Sequence, residues 1–241
     1  MIRIADISGT PLFFLKATRE YFLSCRNNVS EEVRIGLNYN IILDTTLILE
    51  AELEVLLHRI IDQYERLYIS FYQPDLAGCE IELAENAKAL LSSSFSKLKK
   101  YSSRRTGMDH YKDALKILLP KIDLTPLMPY EEGIKVLYHL RNVIAHGRAI
   151  TFEERTYYTY PDYENEVKKE TDFAGCYQKA QDYLIKNSLL DKPITESHDY
   201  KSIFSNEICD HFIEIESKYY EEIEKSVPFP LEDYRDDYEI L

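Results

Sequence analysis

The chain has 241 residues, 45% of them hydrophobic, and 29 Lys and Arg stand against 42 Asp and Glu for a formal net charge of −13. That length can bury a sizeable core, and with only 7 Gly and 9 Pro the composition excludes collagen-like and disordered classes in favour of a helix-rich, soluble fold. The negative balance excludes a protein that coats nucleic acid over its whole surface.

The opening "MIRIADISGTPLFFLK" has no basic head followed by a long apolar run, so no secretion signal is expected. No stretch reaches the roughly eighteen unbroken apolar residues of a membrane span. A cytoplasmic location without membrane contact is the expectation. Ile2, Ile4 and Ile7 alternate as in a short strand, and "CRNNVSEEV" reads as a turn. From about Tyr39 to Phe71, Ile42, Leu49, Leu53, Leu56, Ile60, Leu67 and Phe71 recur at helical spacing, which predicts a long central helix. Leu47, Ile48, Ala51, Val55 and Ile69 form a sparser second apolar face. Pro74 and Gly78 break this helix, and a second follows through Ala87, Leu90, Leu91, Phe95 and Leu98. A third spans Tyr111 to Leu119. After "LTPLMPYEE", a helix over about 131–147 carries Glu131 and Glu132 in its first turn and Gly147 at its end.

Residues 151–163 are rich in aromatic and β-branched types and predict a short strand or ordered loop. Two further helices are predicted, Phe173 to Leu190 and Ile203 to about Lys225. The last has the stripe Phe204, Ile208, Phe212, Ile215, Tyr219 and Ile223. The reading is an all-α bundle with irregular ends: an N-terminal extension (1–37), a helical domain (38–225) and an acidic tail (226–241). Cys25, Cys79, Cys176 and Cys209 are widely separated, and the six His are dispersed. No metal or other cofactor is expected, and the cysteines read as reduced, mostly buried thiols.

The stretch "YHLRNVIAHG" (138–147) is the part of the chain that carries chemistry. On a helical wheel Gly133, Val136, Leu137, Leu140, Val143, Ile144 and Gly147 fall within about 120 degrees, an ordinary core face. His139, Asn142 and His146 cluster within about 60 degrees on the polar side, and Arg141 stands about 140 degrees from His146. Ala145 lies between them, so a shallow trough is expected with Tyr138 as a wall. Imidazole can accept or donate a proton near neutrality, and a guanidinium can pair two phosphate oxygens. That set suits attack of a ribose 2′-hydroxyl on its neighbouring phosphate. One helix supplies only one acid–base group, so a two-fold axis through the trough would complete the site.

Arg141, the polar Asn142, three further residues and His146, on a late helix of an all-α bundle, resemble the signature of the HEPN superfamily, in which four to six residues separate the Arg from the His. The resemblance covers about residues 38–150. It implies a HEPN-like, metal-independent and dimeric endoribonuclease, with Arg141 orienting the phosphate, Asn142 supporting it and His146 as the acid–base residue. It also implies a role as a toxin or effector in abortive infection, other antiviral defence or toxin–antitoxin systems, with an antitoxin or sensor as partner. Some members are silenced by modification of a tyrosine two positions after the motif His; Arg148 stands there in this chain. Others are non-catalytic dimerisation, nucleotide- or protein-binding modules, and that alternative stays open.

Eight basic residues against two acids lie between Lys97 and Lys121. Lys97, Lys99, Lys100, Arg104 and Arg105 of this island, with Tyr138 and His139, are the candidate RNA-binding residues, and a merely solvated basic helix and loop is the competing reading. Glu50, Glu52 and Glu54 read as a solvated acidic face. The twenty tyrosines read mainly as packing residues, with base stacking as the alternative.

Overall fold

A computed structural model describes residues 9–71, 108–145, 172–194 and 199–228. Their regular structure is helical throughout: α1 (Gly9–Cys25), α2 (Glu31–Phe71), α3 (Met108–Leu118), α4 (Met128–Ala145), α5 (Asp172–Lys186) and α6 (Asn206–Ser226). Short 3-10 turns occupy Arg26–Asn28, Thr125–Leu127 and Asp199–Phe204. The all-α architecture and the long central helix are as expected. The segments expected as a strand at 2–7, as a helix through 87–98 and as a strand or loop at 151–163 lie outside the described residues, as does the tail beyond 228. No described helix is long and apolar enough to cross a membrane.

Helix α1 has no counterpart in the sequence reading. Phe13, Phe14 and Tyr21 are exposed on it, so its apolar residues ring the helix and give no one-sided stripe to detect. Helix α2 begins at Glu31, well before Tyr39, because its start is set by a cap and not by the core. Ser30 and the backbone N–H of Glu32 both bond the Glu32 carboxylate, which holds that carboxyl below its usual range. The same device starts α6, where Ser205 Oγ accepts from the Ile208 N–H at 3.2 Å. Helix α5 ends at Lys186 and not at Leu190. Ser188 adopts φ 58° and Leu189 N–H donates to Leu184 O at 2.9 Å, a left-handed stop that usually announces itself with glycine.

The chain forms two compact units, Phe14–Leu47 with Pro129–Lys218, and Met1–Phe13 with Ile48–Met128 and Tyr219–Leu241. In the second, Leu49, Leu53, Leu56 and Ile60 of α2, Leu115 and Leu118 of α3, and Tyr219 and Ile223 of α6 are buried. Each such aliphatic side chain contributes about 1.5–3 kcal/mol. The acidic run departs from the solvated face expected of it. Glu54 is exposed and accepts from Tyr111 Oη at 3.3 Å, whereas Glu52 is buried and adds, after burial itself and Glu224, to the upward push on the Tyr220 phenol.

In the first unit, Ile41 and Ile42 of α2, Leu137 and Leu140 of α4, Ala180 and Leu184 of α5, and Ile208 and Phe212 of α6 are fully buried or nearly so. Thr45 and Thr46 are buried mid-helix and satisfy their hydroxyls on the carbonyls of Ile41 and Ile42, at 2.7 and 3.0 Å. Three polar ties hold the termini of these helices. Arg19 donates to Glu216 at 2.9 Å, Arg26 Nη2 donates to both carboxylate oxygens of Asp210 at 2.7 and 2.8 Å, and the buried Asn38 donates to Phe204 O at 2.7 Å.

At Gly133, α4 packs closely against side chains of α5 and α6. A Cβ there would stand 2.6 Å from both Ile215 Cδ1 and Tyr183 Oη, and Tyr183 Oη is itself bonded to His211 Nε2 at 2.9 Å. Gly133→Ala gains about 1 kcal/mol of helix propensity against about 1–3 kcal/mol of overpacking. Urea unfolding is expected to show a net loss of roughly 1 kcal/mol for Gly133→Ala and a much larger one for Gly133→Leu.

Asp44 is buried, and its Oδ2 has no hydrogen-bond partner among the described residues. Burial raises its pKa above the usual carboxylate value, and the nearby Arg19 offsets this only in part. The native state therefore keeps the Asp44 proton to higher pH than the unfolded chain does. Its contribution to stability falls as pH rises through the range between the two values and stays low above it. Asp44→Asn is expected to raise the melting temperature at pH 7, with the advantage shrinking towards pH 4. A melting temperature unchanged at both pH values would refute the assignment.

Candidate functional site

Helix α4 starts after an Asp123 cap, whose Oδ1 accepts from the Thr125 N–H at 2.9 Å, and runs through Ala145. Its inner face buries Gly133, Val136, Leu137, Leu140 and Val143, as the wheel predicts, but Ile144 is only half-buried, and Ile134, outside the predicted arc, is buried as well. The opposite face changes character along its length. Glu132 and Lys135 are exposed, but Tyr138, His139, Arg141 and Asn142 are each half-buried, and Ala145 is exposed again. The polar residues of the second half thus sit in partial shelter, where a charge interacts more strongly than in bulk water.

Two of the expected site residues are brought directly together. Arg141 Nη1 donates to Asn142 Oδ1 at 3.1 Å. Among the described residues no carboxylate pairs with Arg141, so most of the five donors of its guanidinium remain for an outside acceptor. The pair lies in the second half of α4, with Arg141 before its last described turn. Chemically the arrangement offers a planar cationic fork with an amide braced against it, which suits a phosphate or carboxylate.

His139 lies one turn before Asn142. Burial lowers its pKa first, and the charge of Lys179 on α5 lowers it further, so the imidazole is neutral at pH 7. Lys179 is a cation beside the motif helix that the sequence reading missed. It lies in a different helix, and no local spacing connects it to the motif. His211, bonded to Tyr183, is likewise held neutral by burial. His146 and the basic residues Lys97, Lys99, Lys100, Arg104 and Arg105 lie outside the described residues.

The placement of Lys179 is open to measurement. In Lys179→Gln the His139 ring is expected to titrate at higher pH than in the wild-type chain, followed by NMR of its Hε1 proton. An unchanged titration would show that α5 does not bring that ammonium near the motif helix.

No family model, no curated protein and no solved structure matches the chain.

Proposed function

We propose that the chain is a HEPN-like, metal-independent endoribonuclease that cleaves RNA by attack of a 2′-hydroxyl on the adjacent phosphate, leaving a 2′,3′-cyclic phosphate. The observation that carries the reading is the Arg141–Asn142 pair, half-buried in the second half of α4 and followed, after three intervening residues, by His146 in the sequence. In the reaction the Arg141 guanidinium binds two non-bridging oxygens and offsets the charge that builds on phosphorus. Asn142 holds that guanidinium in place. His146 moves the proton, from the attacking hydroxyl or to the leaving 5′-oxygen.

Both transfers need a titratable group, and one α4 supplies a single His146. A homodimer through the motif helix places two copies of each group around one RNA strand. The role we assign is that of a toxin or effector of phage defence or of a toxin–antitoxin system, acting in the cytoplasm and restrained by an antitoxin or sensor partner. The basic island of residues 97–105 would draw RNA phosphates to an otherwise repelling surface.

Purified protein is expected to cut RNA in EDTA, and sequencing of the ends is expected to show cyclic phosphates. Arg141→Ala and His146→Ala should each lower cutting by about 10²–10⁴-fold while leaving the circular dichroism and the oligomeric state unchanged. Normal cutting by both variants would overturn the roles assigned. A stable dimer with no activity on any RNA pool would leave a binding module in place of an enzyme.

A further inference from the structure

A cleft of about 580 Å³ opens in the Phe14–Leu47 and Pro129–Lys218 unit, where the first turn of α2, the loop after α5 and the start of α6 meet. Its size falls in the range of small-molecule sites, about 300–1,000 Å³. Arg34, Lys192 and Lys201 line it together with Glu31, Asp191 and Glu207, and Ile35, Leu190 and Phe204 give it an apolar wall.

The formal charges cancel, but one of the three acids, Glu207, is already satisfied locally. The Glu207 carboxylate is bonded by its own backbone N–H and by Ser205, and these bonds hold its pKa below the usual range. Glu31 sits in the first turn of α2, where the positive end of a helix favours an acid. Among the described residues none of the three cations has a carboxylate within ion-pair distance. Arg34 and Lys201 reach Glu207 and Glu32 only through longer-range attraction. On a chain of net charge −13 this is a place where three cations from three separate segments converge with their donors uncommitted.

The wall behind them is fixed in advance. Asn38, fully buried, donates to Phe204 O at 2.7 Å and to Asn206 Oδ1 at 3.0 Å. Asn206 in turn donates to Asn27 Oδ1 at 3.1 Å. A ligand entering the cleft therefore need not order its floor, which lowers the entropic cost of binding.

We propose that this cleft binds a small phosphomonoester, its phosphate held between Arg34, Lys192 and Lys201 and its apolar body against Ile35 and Leu190. A dianion suits cations arriving from different segments, and the Arg34 fork can pair two of its oxygens. No residue of α4 lines the cleft, so the site is independent of the nuclease reading.

Calorimetric titration of the full chain with phenyl phosphate, and separately with inorganic phosphate and with phenol, tests the proposal. Phenyl phosphate is expected to bind at least about fivefold more tightly than inorganic phosphate, and phenol is expected not to bind. Arg34→Glu with Lys201→Glu should weaken binding by at least about tenfold. The neutral pair Arg34→Gln with Lys201→Gln should also weaken it while keeping the wild-type circular dichroism, which separates loss of the site from loss of the fold. Lys218→Glu, outside the cleft, should bind as wild type does, and His146→Ala should bind normally even where RNA cutting is lost. Absence of phenyl phosphate binding at millimolar concentration, equal affinity for inorganic phosphate, or undiminished binding by either double variant overturns the proposal.

Discussion

The approach of α4 to α5 and α6 at Gly133 fixes the orientation of everything that helix carries. With Ile215 Cδ1 and Tyr183 Oη both 2.6 Å from where a Cβ would stand, only glycine lets the three helices meet without displacement. The Tyr183 hydroxyl is not free to swing aside without losing its bond to His211. Once Gly133 is pinned, helical geometry places Leu137 and Leu140 in the core and turns Arg141 and Asn142 towards the opposite face. A rotation of α4 by a single residue would bury the guanidinium and expose a leucine, at a cost of several kcal/mol from each change. The site is thus oriented by packing two turns away from it.

Polar ties do complementary work at the helix ends. Hydrophobic burial is non-directional and does not by itself decide where a helix starts or how its ends register. The Arg26–Asp210 contact and the Asn38 bridge to Phe204 and Asn206 are directional, and they attach the corner between α1 and α2 to the start of α6. Buried polar groups persist only where they are bonded, since an unpaired one costs about 1–3 kcal/mol. Asp44 is one of several exceptions in the same unit, with Arg19 Nε, Arg26 Nη1 and Asn38 Oδ1: its buried Oδ2 lacks a partner among the described residues, and the chain answers by holding the proton longer. The charge of Arg19 offsets the effect of burial only in part.

The half-burial of Tyr138, His139, Arg141 and Asn142 has a consequence for chemistry as well as for packing. A guanidinium in water exchanges its donors among solvent molecules, and its attraction to an anion is screened. In partial shelter the same group acts at a lower effective dielectric and in a fixed direction, because Asn142 braces it. His139, kept neutral by burial and by Lys179, adds no second positive charge there. Among the described residues, an anion near Arg141 meets an oriented guanidinium with the Lys179 ammonium of α5 close by.

The helices that bury a single face could be read from residue spacing alone. The stripes of α2, α4 and α6 were legible because leucine and isoleucine at threes and fours have one physical use, and Leu53, Leu56, Leu137, Leu140, Phe212 and Ile223 are buried. The pairing of Arg141 with Asn142 was within reach too, since neighbours in sequence need no fold to bring them together. Tertiary structure alone decided the rest. Helix α1 was hidden because its aromatic residues face outward, and the end of α5 because Ser188 takes a left-handed conformation that serine does not signal. The burial of Glu52, the approach of Lys179 to His139 and the convergence of Arg34, Lys192 and Lys201 each join residues whose separation along the chain carries no pattern. Periodicity records which side of a helix avoids water, whereas the identity of the neighbour on that side is fixed only when the helices pack.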